Sequence, residues 1–322
     1  MTLPTLDNEF IYTYAYTPDE EALCFLEMRA LFGEDTSRKI VKSQRSLDPS
    51  RSPFIKERIE VLYEDDQLDG LIEQLKAIHM GQQRFKVLFV KINGLSGTDK
   101  VEYQEKRSIE HRIGQAIEGT ADMHEPDVIF GLMPLGGRWY FGYYTAAEAI
   151  WFKHLKKPRQ YSTALSTKVA RAVANIAVPK ISGVRAIDPC CGIGTVLVEG
   201  LSMGMDIVGR DLNPLVVDGS IENIAHFGLS GEVGHGPISD VSSHYDVAII
   251  DMPYNLFTST SSADQLSILT HAADFADKMV LATMDNLDPM IDAAGFDIID
   301  RCIAKKAGFT REIVVCLKRP AQ

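Results

Sequence analysis

Apolar and polar positions along this chain repeat with two periods, one suited to strands and one to helices. Residues 9–16 (Glu-Phe-Ile-Tyr-Thr-Tyr-Ala-Tyr) alternate in the manner of a strand. Residues 18–32 then read as a helix, opened by Asp19, Glu20 and Glu21, whose charge suits a helix N-terminus. Residues 84–90 predict a strand, and residues 105–118 a helix with Ile109, Ile113, Ala116 and Ile117 on one face. Residues 126–130 and 138–142 predict two more strands, and residues 48–53 (Asp-Pro-Ser-Arg-Ser-Pro) a loop. In the second half, residues 184–187 are a short apolar run consistent with a buried strand, and residues 195–201 start a helix with an apolar face. Residues 206–209 and 245–250 read as further strands, with another ending near His235. Residues 295–304 and 310–317 supply the last two, joined through residues 305–309.

Candidate chemistry gathers where strands of the second half end. Asp188-Pro189-Cys190-Cys191-Gly192-Ile193-Gly194-Thr195 closes the first of them. Strand, glycine turn and helix make the first half of a nucleotide-binding βαβ unit, and Gly192 and Gly194 let the backbone approach a ligand. Asp211, with Leu212 beside it, ends the next strand roughly 20 residues on, where a carboxylate accepts hydrogen bonds from ribose hydroxyls. A dinucleotide fits that much equally well, and a purely structural glycine turn is the plainest reading. Two details favour S-adenosylmethionine. Position 197 is Leu, so the third glycine of a Gly-x-Gly-x-x-Gly fingerprint is absent. Asp188 just before the turn would repel a pyrophosphate but attract an aminoacyl sulfonium.

Asp251-Met252-Pro253-Tyr254 follows the strand at 245–250, at the end where open α/β sheets bind ligands. The amine on a purine or cytosine ring is a poor nucleophile, because its lone pair is delocalised into the ring. Asp251 and a backbone carbonyl of Met252 or Pro253 could accept its two protons, while Tyr254 offers a stacking face. As an isolated tetrapeptide, the same residues are simply a strand entering a turn. Asp240 is a weaker candidate, either for the cofactor's adenine amino group or as a helix cap. Adjacent Cys190 and Cys191 have no metal-ligand spacing; they suit a turn, with a catalytic thiolate as the lesser alternative.

Residues 158–320 resemble the class I methyltransferase domain of RNA amino-group methylases, above all the tRNA guanine-N2 methyltransferases that carry an N-terminal THUMP domain. The resemblance rests on residues 188–195, on Gly209-Arg210-Asp211 and on residues 251–254. Residues 161–171 look like the segment that closes over the methionine part of the cofactor, with Tyr161 and Thr163 as its binding residues, though its usual prolines are absent. Met252 also departs from the pattern, standing where the family has a proline. The resemblance implies an α/β fold, Rossmann-like, with a seven-stranded, mostly parallel sheet ending in an antiparallel hairpin. The strand, helix, strand, strand order within residues 84–142, with Pro126-Asp127-Val128 opening a strand, resembles the C-terminal part of a THUMP domain. The expected organisation is a THUMP-like, α+β RNA-docking region at 1–150, a linker and cofactor-closing segment at 151–180, and a methyltransferase domain at 181–322.

Charge sharpens this division. Residues 1–180 hold 24 Lys+Arg against 25 Asp+Glu, a net −1, while residues 181–322 hold 9 against 19, a net −10, so nearly all of the chain's −11 lies in the second half. An acidic chain is an unpromising nucleic-acid binder on average. Basic clusters nevertheless occur at Arg38-Lys39 with Lys42 and Arg45, and at Lys153, Lys156, Lys157 and Arg159 beside Trp151 and Phe152. The second cluster suits a phosphate backbone and an unstacked base, or equally a solvated linker. Lys305, Lys306 and Arg311 read either as further phosphate contacts or as exposed hairpin residues.

A length of 322 residues accommodates two domains, and no run approaches the ~18 apolar residues of a membrane span. The N-terminus shows no signal-peptide pattern, and five scattered cysteines suggest a reducing cytoplasm. The expectation is a cytoplasmic, S-adenosylmethionine-dependent N-methyltransferase acting on guanosine N2 in RNA, most of all tRNA, with no metal, membrane or obligate protein partner. Adenine N6 in DNA or RNA, rRNA, and a protein glutamine amide are alternative acceptors. A non-catalytic cofactor-binding regulator and an NAD-dependent enzyme are the readings from other classes.

Overall fold

The computed structural model describes residues 9–34, 39–90, 101–161, 164–253, 261–306 and 309–320. Thr163 and Tyr254 therefore lie outside the described residues. The chain divides into two compact units, Met1–Ala15 with Thr36–Glu148, and Tyr16–Asp35 with Ala149–Gln322.

The first unit is built on a seven-stranded sheet. Its strands are β1 (Phe10–Tyr14), β2 (Ile40–Ser43), β3 (Ile55–Asp65), β4 (His79–Phe89), β5 (Glu118–Ala121), β6 (Val128–Leu135) and β7 (Arg138–Ala146), in the order β2-β1-β3-β7-β6-β4-β5. The β4 strand pairs in parallel with β5 and β6, and the remaining neighbours are antiparallel. Alternation sends successive residues of β6 to opposite faces, so Phe130 and Leu132 join one core cluster and Met133 another. Helices α2 (Leu68–Leu75) and α3 (Tyr103–Ala116) bury Leu71, Leu75, Ile109 and Ile113 in the cluster that holds Phe130. Phe130 stacks between Phe141 and Tyr143, with ring centroids 4.9 and 5.5 Å away.

The second unit carries the sheet that the motif-bearing strands predict. Its strands are β8 (Arg185–Asp188), β9 (Asp206–Asp211), β10 (Val233–His235), β11 (Tyr245–Asp251), β12 (Ala276–Thr283), β13 (Phe296–Lys306) and β14 (Phe309–Lys318), in the order β10-β9-β8-β11-β12-β14-β13. Strands β8 to β12 are all parallel, and β14 lies antiparallel between β12 and β13. This is the expected Rossmann-like, mostly parallel seven-stranded sheet, final antiparallel hairpin included. Between the strands run α6 (Thr195–Ser202), α7 (Pro214–His226), α8 (Ser262–Phe275) and α9 (Asp288–Ala293). Ahead of the sheet come α4 (Ile150–Lys153) and α5 (Thr167–Ala177).

Two observations differ from the expected division of the chain. Helix α1 (Glu21–Phe32) belongs to the second unit, although it precedes most of the first in sequence. Its Glu27, fully buried, accepts a 2.7 Å hydrogen bond from Asn175 of α5, and Arg29 pairs with Asp300 of β13 at 2.8 Å. Helix α5, expected within a linker, is a core element whose residues from 170 to 177 are all buried. Lys278 of β12 donates to the carbonyls of Ile176 and Ala177, satisfying its C-terminal end.

A charged network ties α5 to α6. Glu199 of α6 is fully buried and accepts hydrogen bonds from Arg171 Nη1 (2.9 Å) and His154 Nδ1 (2.8 Å). Buried charges of this kind hold only while every member is present. Glu199→Ala would leave the buried Arg171 guanidinium without its carboxylate. It is expected to cost roughly 3–5 kcal/mol, read as a lowered midpoint in chemical denaturation.

Candidate functional site

The site forms where three parallel strands end together. Asp188, Asp211 and Asp251 are the last residues of β8, β9 and β11, and β8 pairs with the other two. Chain connections leave β8 in opposite directions there, opening a crevice beyond the strand ends. That crevice is a cleft of about 630 Å³, lined by all three carboxylates. Pro237, Ile238, Val216 and Ile193 add apolar walls.

The glycine turn shapes one side. Gly192 and Gly194 have φ values of +52° and +74°, in the left-handed region that glycine tolerates. A Cβ on Gly194 would lie 2.2 Å from Ser220 Oγ of α7. Backbone N–H groups fix the acidic side chains from within. Asp211 accepts from Gly192 N at 2.8 Å and Asn213 N at 2.9 Å, and Asp188 accepts from Cys190 N at 3.2 Å. Gly209, one strand over, allows Leu197 and Cys191 to pack directly on β9; a Cβ there would meet Leu197 Cδ1 at 2.4 Å.

Burial and mutual repulsion govern the ionisation of these groups. Burial pushes the Asp188 carboxyl well above the ordinary range, and the Asp251 and Asp211 charges push the same way. Asp251 is pushed up to about 6 by burial, against the opposing pull of the Arg311 guanidinium. Burial also pushes both Cys190 and Cys191 upward, with the neighbouring carboxylates adding to it. Neither cysteine is then a thiolate near neutral pH, which removes the nucleophilic-cysteine reading. Three carboxylates this close favour a cationic ligand over a pyrophosphate. With the apolar walls and the acceptor at the end of β9, the donor set fits the adenosyl and sulfonium parts of S-adenosylmethionine. No cluster of His, Cys, Asp and Glu suited to a metal occurs among the described residues.

Most residues singled out from the sequence reach this cleft. Tyr161, Asp188, Cys190, Gly192, Thr195, Asp211, Leu212, Asp251, Met252 and Pro253 line it, and Gly194 shapes the turn from behind. Met252, in the place of the family's proline, is 3 % exposed and donates its N–H to Ala282 O at 2.9 Å. Proline lacks that donor, so methionine extends the β11–β12 ladder by one bond while packing into the core.

Three expectations need correction. Asp240 is exposed and does not line the cleft; its carboxylate lies beside Gly236, while Pro237, Ile238 and Ser239 form the wall. Lys157 is 8 % exposed and points inward, donating to Thr195 Oγ1 at 3.0 Å, so it is no surface phosphate contact. Arg159 stays exposed with Lys153 and Lys156, pairing with Glu222 at 2.6 Å and giving its backbone N–H to Asn223. Arg311 is 7 % exposed, with Nε 3.3 Å from Asp251 Oδ1.

Sequence reasoning missed the α8 wall, formed by Asp264, Ser267, Ile268 and His271. Their i, i+3, i+4, i+7 spacing is a readable helical stripe. Arg311 was legible too, as a cation in phase with buried Ile313 and Val315 along β14.

Residues 155–287 match the family model described as RMKL-like, methyltransferase domain. Among curated relatives, 109 residues are 35 % identical to a tRNA (guanine(10)-N2)-dimethyltransferase of Methanothermobacter thermautotrophicus, covering 33 % of this chain and 32 % of that protein. A further 97-residue match, 33 % identical, is to the U6 snRNA (guanine-N(2))-methyltransferase THUMPD2 of Mus musculus, covering 28 % of this chain and 18 % of that one. The chain thus spans less than two thirds of either relative. Among solved structures, TrmN from Thermus thermophilus is 16 % identical with a TM-score of 0.47, covering 96 % of this chain and 99 % of that one. Magnesium protoporphyrin IX methyltransferase from Synechocystis, solved with bound S-adenosylmethionine, is 13 % identical with a TM-score of 0.40, over 52 % of this chain and 90 % of that one.

Gly194→Ala tests the turn. The left-handed backbone and the approach to Ser220 together are expected to cost about 1–3 kcal/mol in denaturation and to weaken ligand binding in the cleft by calorimetry.

Proposed function

We propose that this chain is an S-adenosylmethionine-dependent RNA methyltransferase whose acceptor is the exocyclic N2 amine of guanosine, with tRNA as the substrate. The observation that carries the proposal is Asp251, a carboxylate at the end of β11 that lines the cleft beside two further strand-end carboxylates. The family match over residues 155–287 supports methyl transfer, and the guanine-N2 activities of the two relatives support guanine N2 as the acceptor.

In this reading Asp211 accepts hydrogen bonds from the ribose, and the apolar wall at Ile238 and Leu212 flanks the adenine ring. Asp188 supplies negative charge near the cationic centre. S-adenosylmethionine, when bound, supplies an electrophilic methyl group. Asp251 accepts one amine hydrogen and a backbone carbonyl of Met252 or Pro253 takes the other, so that the nitrogen lone pair is turned out of conjugation. Positioning and exclusion of water provide the acceleration, with no covalent bond to the enzyme. The target base would leave its stack to reach the cleft. Tyr254 and Thr163 are assigned to the base and the cofactor from their places in the sequence motifs alone.

The first unit is assigned a THUMP-like docking role on the resemblance of residues 84–142. Lys153 and Lys156, exposed beside Phe152, are assigned to the phosphate backbone. Among the described residues no helix is long and apolar enough to cross a membrane, and an RNA-modifying role would place the protein in the cytoplasm.

Nucleoside mass spectrometry of tRNA from cells lacking this protein, incubated with protein and S-adenosylmethionine, tests the assignment. N2-methylguanosine should accumulate. Asp251→Ala should lower the rate by roughly a hundredfold or more while leaving cofactor affinity within about threefold. Methyl transfer only to DNA or protein would sink the RNA reading, and binding without any transfer would favour a regulator. The pH profile gives a second check. Asp251 must be ionised to accept a hydrogen, so activity should be full above pH about 6 and fall roughly tenfold per unit below it.

A further inference from the structure

We propose that Arg311, on β14, is a positioning residue that keeps Asp251 a carboxylate and holds its Oδ1 edge away from the cleft, leaving Oδ2 to receive the amine hydrogen. This rests on the role of Asp251 proposed above.

The geometry is specific. Arg311 Nε stands 3.3 Å from Asp251 Oδ1, and the two side chains are 8 % and 22 % exposed. Asp251 Oδ1 is sealed from solvent and makes no hydrogen bond among the described residues, so the guanidinium is what faces it. A carboxylate buried this far favours its neutral form unless a cation stands near. The other groups around Asp251 do not supply one of fixed charge. From β8 comes Asp188, from the glycine turn the Cys190 thiol, and from β9 Asp211; α8 lines the same cleft with Asp264 and His271. Repulsion from the carboxylates would drive Asp251 toward protonation, and a protonated Asp251 donates a hydrogen bond where the amine needs an acceptor. Arginine stays charged throughout the working pH range. Its strand is antiparallel to β12 and arrives from the far end of the chain, with Ile313 opposite Ala282 in register, so that Arg311 lies just beyond the C-terminal ends of β11 and β12.

The test reads Asp251 directly. Carbon-13 NMR of aspartate-labelled protein follows the side-chain carboxyl resonances with pH, and the signal absent from Asp251→Asn assigns residue 251. In Arg311→Met the proton affinity of Asp251 should rise at least about tenfold, as expected on removing a cation within 4–6 Å. The acid limb of the methyl-transfer profile should move upward with it, with activity recovering at high pH. Arg311→Gln, which keeps polar contacts without the charge, serves in its place if the Met variant does not fold. Arg311→Lys should return both the resonance and the acid limb toward wild type. An unchanged Asp251 titration, or an activity loss equal at every pH, would overturn the proposal and leave Arg311 a structural residue. The two readings separate cleanly. No methyl transfer to RNA with an Asp251 titration that still follows residue 311 would defeat the function alone. Transfer to RNA with a titration indifferent to residue 311 would defeat this inference alone.

Discussion

Parallel pairing of β8 with β9 on one edge and β11 on the other is the constraint from which the rest of the second unit follows. Strands that run in parallel end at one side of the sheet, and here each ends on an aspartate. Asp188, Asp211 and Asp251 therefore meet at a single crevice, though 63 residues of chain separate the first from the last. Each carboxylate raises the free energy of ionising its neighbours. The structure tolerates this through fixed partners: backbone N–H groups of the glycine turn for Asp188 and Asp211, and a guanidinium for Asp251. A cleft with such a residual negative field is matched to a cationic ligand.

The same logic accounts for charges placed away from the cleft. Glu199, Arg171 and His154 form a buried charged set, and Lys157 turns inward to a hydroxyl at the first turn of α6. These side chains hold the segment ahead of the sheet against the helix that follows the glycine turn. The geometry of the turn consequently depends on His154, Lys157 and Arg171, ahead of the first strand of the sheet. Helix α1 extends this support from the start of the chain through its Glu27–Asn175 bond. The larger part of the first unit, Thr36–Glu148, thus separates in sequence two segments of the second that fold together.

How far the linear pattern reaches can be seen residue by residue. The strands β8, β9, β11, β13 and β14 were legible because each is a compact apolar run bounded by turn residues. Asp188, Asp211 and Asp251 were legible because strand ends are where open sheets bind ligands. Lys157 was misread because a basic cluster looks the same whether its side chains face water or turn inward. Asp240 was misread by a smaller margin: the short helical turn at Ile238–Asp240 rotates its side chain off the wall and presents Ile238 instead. Helix α8 escaped notice since nothing in its own sequence says that its polar stripe faces a cleft.

What the sequence determined alone was local: the periods of its strands and helices, the glycine positions that need positive φ, and the acidic residue at each strand end. These depend on interactions within a few residues of chain. Tertiary structure alone decided which distant groups meet. Arg311 faces Asp251 only because β14 packs antiparallel on β12, and α1 joins the second unit through Asn175 of α5 and Asp300 of β13. The physical reason is that charge and burial act through space. A cation sixty residues from a carboxylate changes its ionisation as strongly as an adjacent one would, once folding has brought the two within 3.3 Å.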